Sequence, residues 1–361
     1  MILYKRDTKG KIRSLEIEAV DGILYQTSGL LDGAKIEHKK ECKPKNVGKL
    51  NETDSQQQAI SEKESLITKK LREGYFYTRE EAANTIVILP MLAKKFEDEM
   101  KKINYTKPVY TQPKLDGMRC IAVEDSSLMS RKGVFIDTLG HLYNEINILR
   151  KLIGGIPDGE LYAHGLDFQE NMSLIKKYKK YKTESIMYHV YDMISDKPFY
   201  QRYSILQDAF VEYGFVHIEL VPTDLLMSQQ DLKNHHADYL NQGYEGTIIR
   251  HGIESYKLNG RSSSLLKYKD FIDITVVVKD VIPDDANPSH GSCIFEWKGA
   301  KGHRMGDNIL GCGMKFSHKK REEILTDKKE YIGKTAELRF FEYSTTKVPR
   351  FPVCVGFRLD K

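Results

Sequence analysis

A chain of 361 residues is long enough for two or three domains of ordinary size, and its 40% hydrophobic and 30% charged residues suit a soluble globular protein. No apolar run approaches the ~18 residues of a membrane span, and a net charge of +5 leaves any attraction to nucleic acid to local patches. Five scattered cysteines, none at CxxC spacing, argue against a zinc ribbon or a disulfide framework and fit a reducing compartment. The opening MILYKRDTKGK has no apolar leader core, so the expected setting is cytoplasmic, with no membrane partner and a monomeric chain.

Residues 1–75 read as a small β-plus-helix module. RSLEIEAV and GILYQTSG are strand-like, and KIEHKKECKPKNVGK carries six lysines against two glutamates. NETDSQQQAISEKESLITKKLREGY then reads as a helix, with Thr53 and Gln56 at capping-box spacing and Gly74 as its stop. Residues 76–270 alternate helical segments (HLYNEINILRKLI, FQENMSLIKKYKKYK, YQRYSILQDAFVEY, QQDLKNHHADYLNQG) with strands (DGELYAH, SIMYHVYDMIS, HIELVPTDLLM, YEGTIIRHG). VYTQPKLDGMRCIAV, residues 109–123, reads as one strand interrupted by Lys114, Asp116 and Gly117. Residues 271–361 turn to strands (DITVVVKDVI, GSCIFEWKG, KTAELRFFEYS, FPVCVGFRLD) with one inserted helical run, SHKKREEILTDKKEYIG; this pattern suggests an OB-fold barrel.

Polar residues gather where the central strands end. Lys114, Asp116 and Arg119 are followed by SRKG with Arg131, by Asp158 and Glu160, by Tyr191, by Glu245 and Arg250, and by Lys267 and Lys269. Strand alternation puts Lys267 and Lys269 on one face, and likewise Asp158 and Glu160, which suggests a phosphate site with a metal. There is no GxxxxGK[ST] loop, so phosphoryl chemistry needs another route. Attack by a lysine is one, provided its ordinary pKa of about 10.4 is lowered by neighbouring cations. Glu160 and Glu245 could hold Mg2+ together with substrate phosphates.

The ordered set KxDGxR, SRxG, DGE, aromatic-Asp, EGxxxR, KxK and a terminal RxDK resembles the covalent nucleotidyltransferases, and among them the phage-type ATP-dependent DNA ligases, over roughly residues 88–361. KxDG alone recurs by chance, whereas seven elements in order are specific. The resemblance implies an α+β fold: an ATP-grasp-like adenylation core followed by an OB-fold β-barrel. It implies that Lys114 attacks the α-phosphorus of ATP and carries AMP, with Mg2+ or Mn2+ as the metal. By the same resemblance Tyr191 stacks on adenine, while Arg119 and Arg131 hold phosphate or ribose. Glu160 binds ribose or metal, Glu245 binds metal, and Lys267 and Lys269 neutralise the α-phosphate. Arg358, Asp360 and Lys361 orient the pyrophosphate.

The implied partner is nicked duplex DNA. Lys39, Lys40, Lys43 and Lys45 in the first module, and Lys177 and Lys180 in KKYKKYK, are candidate phosphate contacts. A solvated face is the ordinary alternative for both runs. The first module weakly resembles a WGR-like domain, although the Trp-Gly-Arg signature is absent and QTSGLLDG stands in its place. A capping guanylyltransferase or an RNA ligase shares the lysine chemistry. A DNA-break-binding protein with a silent core would be the non-enzyme alternative. His235 and His236 have no metal-ligand spacing and are expected on a helix surface, Cys120 inside a strand.

Overall fold

The computed structural model describes every residue except 8, 86–87, 124–126, 286, 345 and 359–361. Strands β1 (Ile2–Arg6), β2 (Ile12–Val20), β3 (Ile23–Leu30) and β4 (Lys35–Glu41) form an antiparallel meander in that order. Alternation along it turns Leu3, Leu15, Ile17 and Leu24 to one face, where the helix Ser55–Arg72 covers them with Ala59, Leu66 and Ile67. Each such buried aliphatic side chain contributes about 1.5–3 kcal/mol. The helix starts one residue later than the sequence suggested. Asp54 accepts from the Gln57 amide at 2.7 Å and the Gln57 side chain returns to the Asp54 amide at 3.0 Å, so the capping box is Asp54–Gln57. Thr53 instead meets the Gln58 side chain. Aspartate is the better cap, and it wins the position. Gly74, at φ 79°, closes the helix by donating to the Leu71 carbonyl.

The central region holds two sheets built from β5 (Leu92–Lys95), β6 (Val109–Lys114), β7 (Met118–Ala122), β8 (Leu128–Ser130), β9 (Phe135–Ile136), β10 (Ile156–Tyr162), β11 (Met187–Ile194), β12 (Ile218–Leu220), β13 (Asp224–Leu225), β14 (Gly246–His251) and β15 (Arg261–Tyr268). One sheet runs β12-β11-β10-β7-β8-β9 and the other β13-β6-β14-β15-β5. The stretch expected to be a single strand through Lys114 is therefore two strands in different sheets, and the chain changes sheet at Leu115–Gly117. HIELVPTDLLM is split in the same way between β12 and β13. On the first sheet Ile146 and Leu149 of the helix Tyr143–Ile153 and Leu206 of the helix Phe199–Glu212 pack on Cys120, Leu161, Tyr188 and Val190. On the second, Leu232 of the helix Gln229–Asn241 packs with Phe96 on Val109, Ile249 and Leu266. His236 of that helix is buried, not on the surface. Its ring stacks on Tyr268 at 3.8 Å and its Nδ1 lies 2.8 Å from the Thr247 hydroxyl. The helix Phe168–Lys176 ends where KKYKKYK begins, so Lys177–Lys182 form a turn and not a helical face.

Internal contacts divide the chain into Met1–Tyr268 and Lys269–Lys361. The second unit comprises β16 (Ile272–Val277), β17 (Asp280–Pro283), β18 (Gly291–Glu296), β19 (Ile309–Met314), β20 (Thr335–Phe340) and β21 (Val353–Arg358), with the helix His318–Thr326. Its sheet order is β16-β20-β21-β19-β18-β17. The expected β-barrel is not closed: among the described residues no ladder joins β16 to β17, which are successive stretches of one chain bent at Val278–Lys279. The sequence reading also missed β19, because Gly311 and Gly313 interrupt its apolar run. All five cysteines are free and buried. Among the described residues no helix is long and apolar enough to cross a membrane.

Candidate active site

Lys114 is the last residue of β6, at the point where the chain leaves one central sheet for the other. The antiparallel register pairs it with Gly246, and its carbonyl accepts from the Glu245 amide at 2.9 Å. That register sets the Glu245 carboxylate against the Lys114 ammonium, and the two form an ion pair. Backbone proximity explains two glycines beside it. A Cβ on Gly117 would lie 2.3 Å from the Leu161 carbonyl oxygen, and one on Gly159 would lie 2.5 Å from that of His189. Glycine is required there so that the chain entering β7 can approach β10, and β10 can approach β11, this closely.

Burial governs the electrostatics. It lowers the Lys114 pKa, opposed by Glu160 and Asp116 and reinforced by Arg119 and Arg131. It raises Glu160 to about 7, against the pull of Lys114 and Arg119. Both shifts favour uncharged forms, the condition a lysine nucleophile needs. Tyr191 donates to Glu160 Oε2 at 3.3 Å, with the guanidinium groups of Arg119 and Arg250 5.7 and 5.6 Å from its ring centre. Lys267, opposite Ile248 on β15, is shifted downward by burial first and then by Lys114, Arg261, Arg131 and Lys95. Lys114, Arg119, Arg131 and Lys267 thus converge on one region with Glu160 and Glu245.

Beneath them lie two buried ionic knots that sequence reasoning did not find. Arg119 binds both oxygens of Asp158, which also accepts from Tyr256 at 2.7 Å; Tyr256 in turn accepts from the Met91 amide. Asp192 on β11 is held by Arg202, at 2.6 and 2.9 Å, and by Arg250 on β14, so it ties the two sheets together. Arg250 also donates to Gln112, whose amide reaches the Tyr191 carbonyl and Thr223. The one sequence signal for Arg202 was an arginine on the apolar face of YQRYSILQDAFVEY.

The other expected residues have surroundings of their own. Lys269 lies one residue beyond β15, in the second unit, with its ammonium 4.2 Å from the Phe341 ring centre. It does not continue the Lys267 strand face. Arg358 ends β21, paired with Glu337, while Asp360 and Lys361 lie outside the described residues. Lys39 and Lys40 project to opposite faces of β4, Lys39 beside Glu37 and Tyr25, Lys40 beside Glu62, which Lys45 also approaches at 3.6 Å. Lys43, Lys177 and Lys180 are exposed.

Next to Lys114 a cavity of about 460 Å³ is lined by Pro113, Leu115, Tyr162, His189, Val221 and Tyr244, among others. Its size and aromatic walls suit a planar heterocycle. Among the described residues no group of three or more His, Cys, Asp or Glu side chains forms a ready-made metal site. Glu245 on Lys114 and the half-buried Glu160 fit a cation such as Mg2+, which uses one or two carboxylates and completes its shell with phosphates.

The chain is similar to known proteins. Residues 90–269 match the ATP dependent DNA ligase domain and residues 289–358 the DNA ligase OB-like domain, together more than half of the chain. The chain belongs to the ATP-dependent DNA ligase family. The DNA ligase of Enterobacteria phage T4 is 24% identical over 309 residues, covering 68% of this chain and 62% of that protein; that of phage T6 matches to the same extent. The chain thus spans about three fifths of the length of these curated relatives. Two solved structures share its fold. Pmar-Lig_Pre has 22% identity, covers 84% of this chain and 73% of its own, and has a TM-score of 0.63. A Lig E DNA ligase has 22% identity, covers 76% and 100%, and has a TM-score of 0.59. The first ligase-domain match contains Lys114, Arg119, Arg131, Glu160, Tyr191, Glu245, Lys267 and Lys269, and the OB-like match contains Arg358. Residues 1–89 lie outside both.

Proposed function

We propose that this chain seals nicks bearing a 5′-phosphate and a 3′-hydroxyl in duplex DNA, using ATP. The observation that carries the reading is the Lys114 ammonium, partly buried at the change of sheet, ion-paired to Glu245 and flanked by Arg119, Arg131 and Lys267. In the first step Lys114 Nζ gives a proton to Glu245 and attacks the α-phosphorus of ATP. An N–P bond forms, the bond to pyrophosphate breaks, and AMP remains on the lysine. Charge grows on the phosphoryl oxygens as this happens, and the converging cations offset it. An oxygen of the DNA 5′-phosphate next displaces the lysine from the AMP phosphorus. The 3′-hydroxyl then attacks the 5′-phosphorus and AMP leaves with its bonding electrons.

The cavity beside Pro113 and Leu115 receives the base, and Tyr191 and Glu160 hold the nucleoside between cavity and lysine. A divalent cation, Mg2+ or Mn2+, held by Glu160 or Glu245, would supply charge neutralisation at the triphosphate. Arg358 and Lys361 serve the pyrophosphate, and the exposed lysines of the first module and of the 177–182 turn serve the DNA backbone. Incubation with a 5′-phosphorylated nicked duplex, Mg2+ and either ATP or GTP tests this. Sealing with ATP alone is expected. GTP-dependent labelling without sealing would point instead to a capping guanylyltransferase, and nick binding without labelling to a silent scaffold.

A further inference from the structure

The segment between β4 and the first long helix is a built loop. Lys45 and Thr53 exchange two backbone hydrogen bonds of 3.0 Å across its base. Inside it the Gly48 amide donates to Glu52 Oε2 at 2.7 Å, and the Asn46 side chain donates to the Asn51 carbonyl. Asn46 and Gly48 both hold positive φ, 55° and 78°, a left-handed conformation that costs a non-glycine residue about 1 kcal/mol. What this closed, locally strained frame presents is apolar: Leu50 is 111% exposed and Val47 70% exposed. Lys43, Lys45 and Lys49 stand on the same loop, all three exposed, with Lys45 3.6 Å from Glu62. An apolar tip on a loop that carries cations matches the minor groove of a duplex, an apolar-walled slot between two rows of phosphates. A protein partner would need its own acidic rim around an apolar socket, which the ligase reading does not supply.

We propose that the loop 42–53 is a second duplex-DNA contact, in which Leu50 enters the minor groove as a wedge and Lys43, Lys45 and Lys49 hold the flanking phosphates. The proposal rests on the nick-sealing reading for the presence of DNA, but it concerns residues outside both matched ligase domains. The test uses the full chain, a nicked duplex carrying a fluorophore at each end, and two variants: Leu50→Ser, and Lys43→Gln with Lys45→Gln and Lys49→Gln. End-to-end energy transfer reports bending, and titration at several salt concentrations reports affinity and its salt slope.

The wild-type chain is expected to bend the duplex. Leu50→Ser loses the bend and weakens binding about tenfold with an unchanged salt slope. The lysine variant flattens the log–log slope by about 2 to 3. The wild-type chain and Leu50→Ser should form the same lysyl-AMP in the absence of DNA. If neither does, the nick-sealing reading fails, whereas the bending result still decides the loop. Wild-type bend and affinity in Leu50→Ser overturn the wedge, and an unchanged slope in the lysine variant overturns the phosphate contacts. If Leu50→Ser changed sedimentation and not DNA binding, the tip would join copies of the chain and the proposal would be wrong.

Discussion

At the scale of single residues, the site works by penalising charge. Glu160 is the clearest case. Its pKa is raised from 4.5 to about 7, so between those values the folded chain keeps a proton that the unfolded chain has released. The associated stability is complete below about pH 4.5 and is lost as pH rises through about 7, amounting to about 3 kcal/mol. Denaturant unfolding in metal-free buffer should therefore show stability falling across that window, and Glu160→Gln should remove the fall. Equal slopes in the two proteins would mean that Glu160 is not desolvated. The opposite shift at Lys114 implies that lysyl-AMP forms faster as pH rises, because the neutral amine fraction grows. The residue motifs were legible because they are local: KLDG, DGE and EGTIIR each announce themselves in a few positions. The partners of those motifs were not. Arg202 and Tyr256 meet Asp192 and Asp158 only through the fold, and no spacing rule joins residue 158 to residue 256.

At the scale of elements, the two central sheets are held to each other through Asp192. Arg202→Met leaves that buried carboxylate with Arg250 and the Met193 amide, and removing one partner of a buried ion pair costs about 3–5 kcal/mol. Thermal unfolding should register the loss; a melting temperature at the wild-type value would show that Arg250 and the Met193 amide satisfy Asp192. The change of sheet at Leu115–Gly117 makes a sharper prediction. Gly117→Ala drives a Cβ to 2.3 Å from the Leu161 carbonyl, so the start of β7 and β10 must separate. Lysyl-AMP formation should fall by about a hundredfold or more, since small misplacements at a reacting atom are that costly. Near-normal labelling would place the lysine's geometry under other control. Alternation and caps made most strands and helices readable, yet they could not show that a run such as VYTQPKLDGMRCIAV belongs to two sheets. A one-residue cap error at Asp54, the break of KKYKKYK from its helix and the glycine-rich β19 share one cause: local pattern sets an element's type more firmly than its ends.

At the scale of the whole molecule, the proposed first step draws on residues of both units, Lys114 in one and Arg358 in the other. Arg358 is paired with Glu337, both side chains being exposed, and an exposed pair is worth at most about 1 kcal/mol, so exchanging that carboxylate for pyrophosphate costs little. Arg358→Ala should slow lysyl-AMP formation about tenfold or more. Sealing of a nick that already carries AMP should be unaffected, because pyrophosphate has by then departed. Slowed sealing of the pre-adenylylated nick would move Arg358 to the DNA-handling steps.

The central claim is that Lys114 carries the AMP. The most direct measurement is intact mass spectrometry of the chain after incubation with ATP and Mg2+, followed by peptide mapping, with Lys114→Ala alongside. One added adenylyl group is expected on the wild-type chain, acid-labile as a phosphoramidate and located on Lys114, and none on the variant. An adduct of equal yield on Lys114→Ala, or one mapped to another residue, would contradict it.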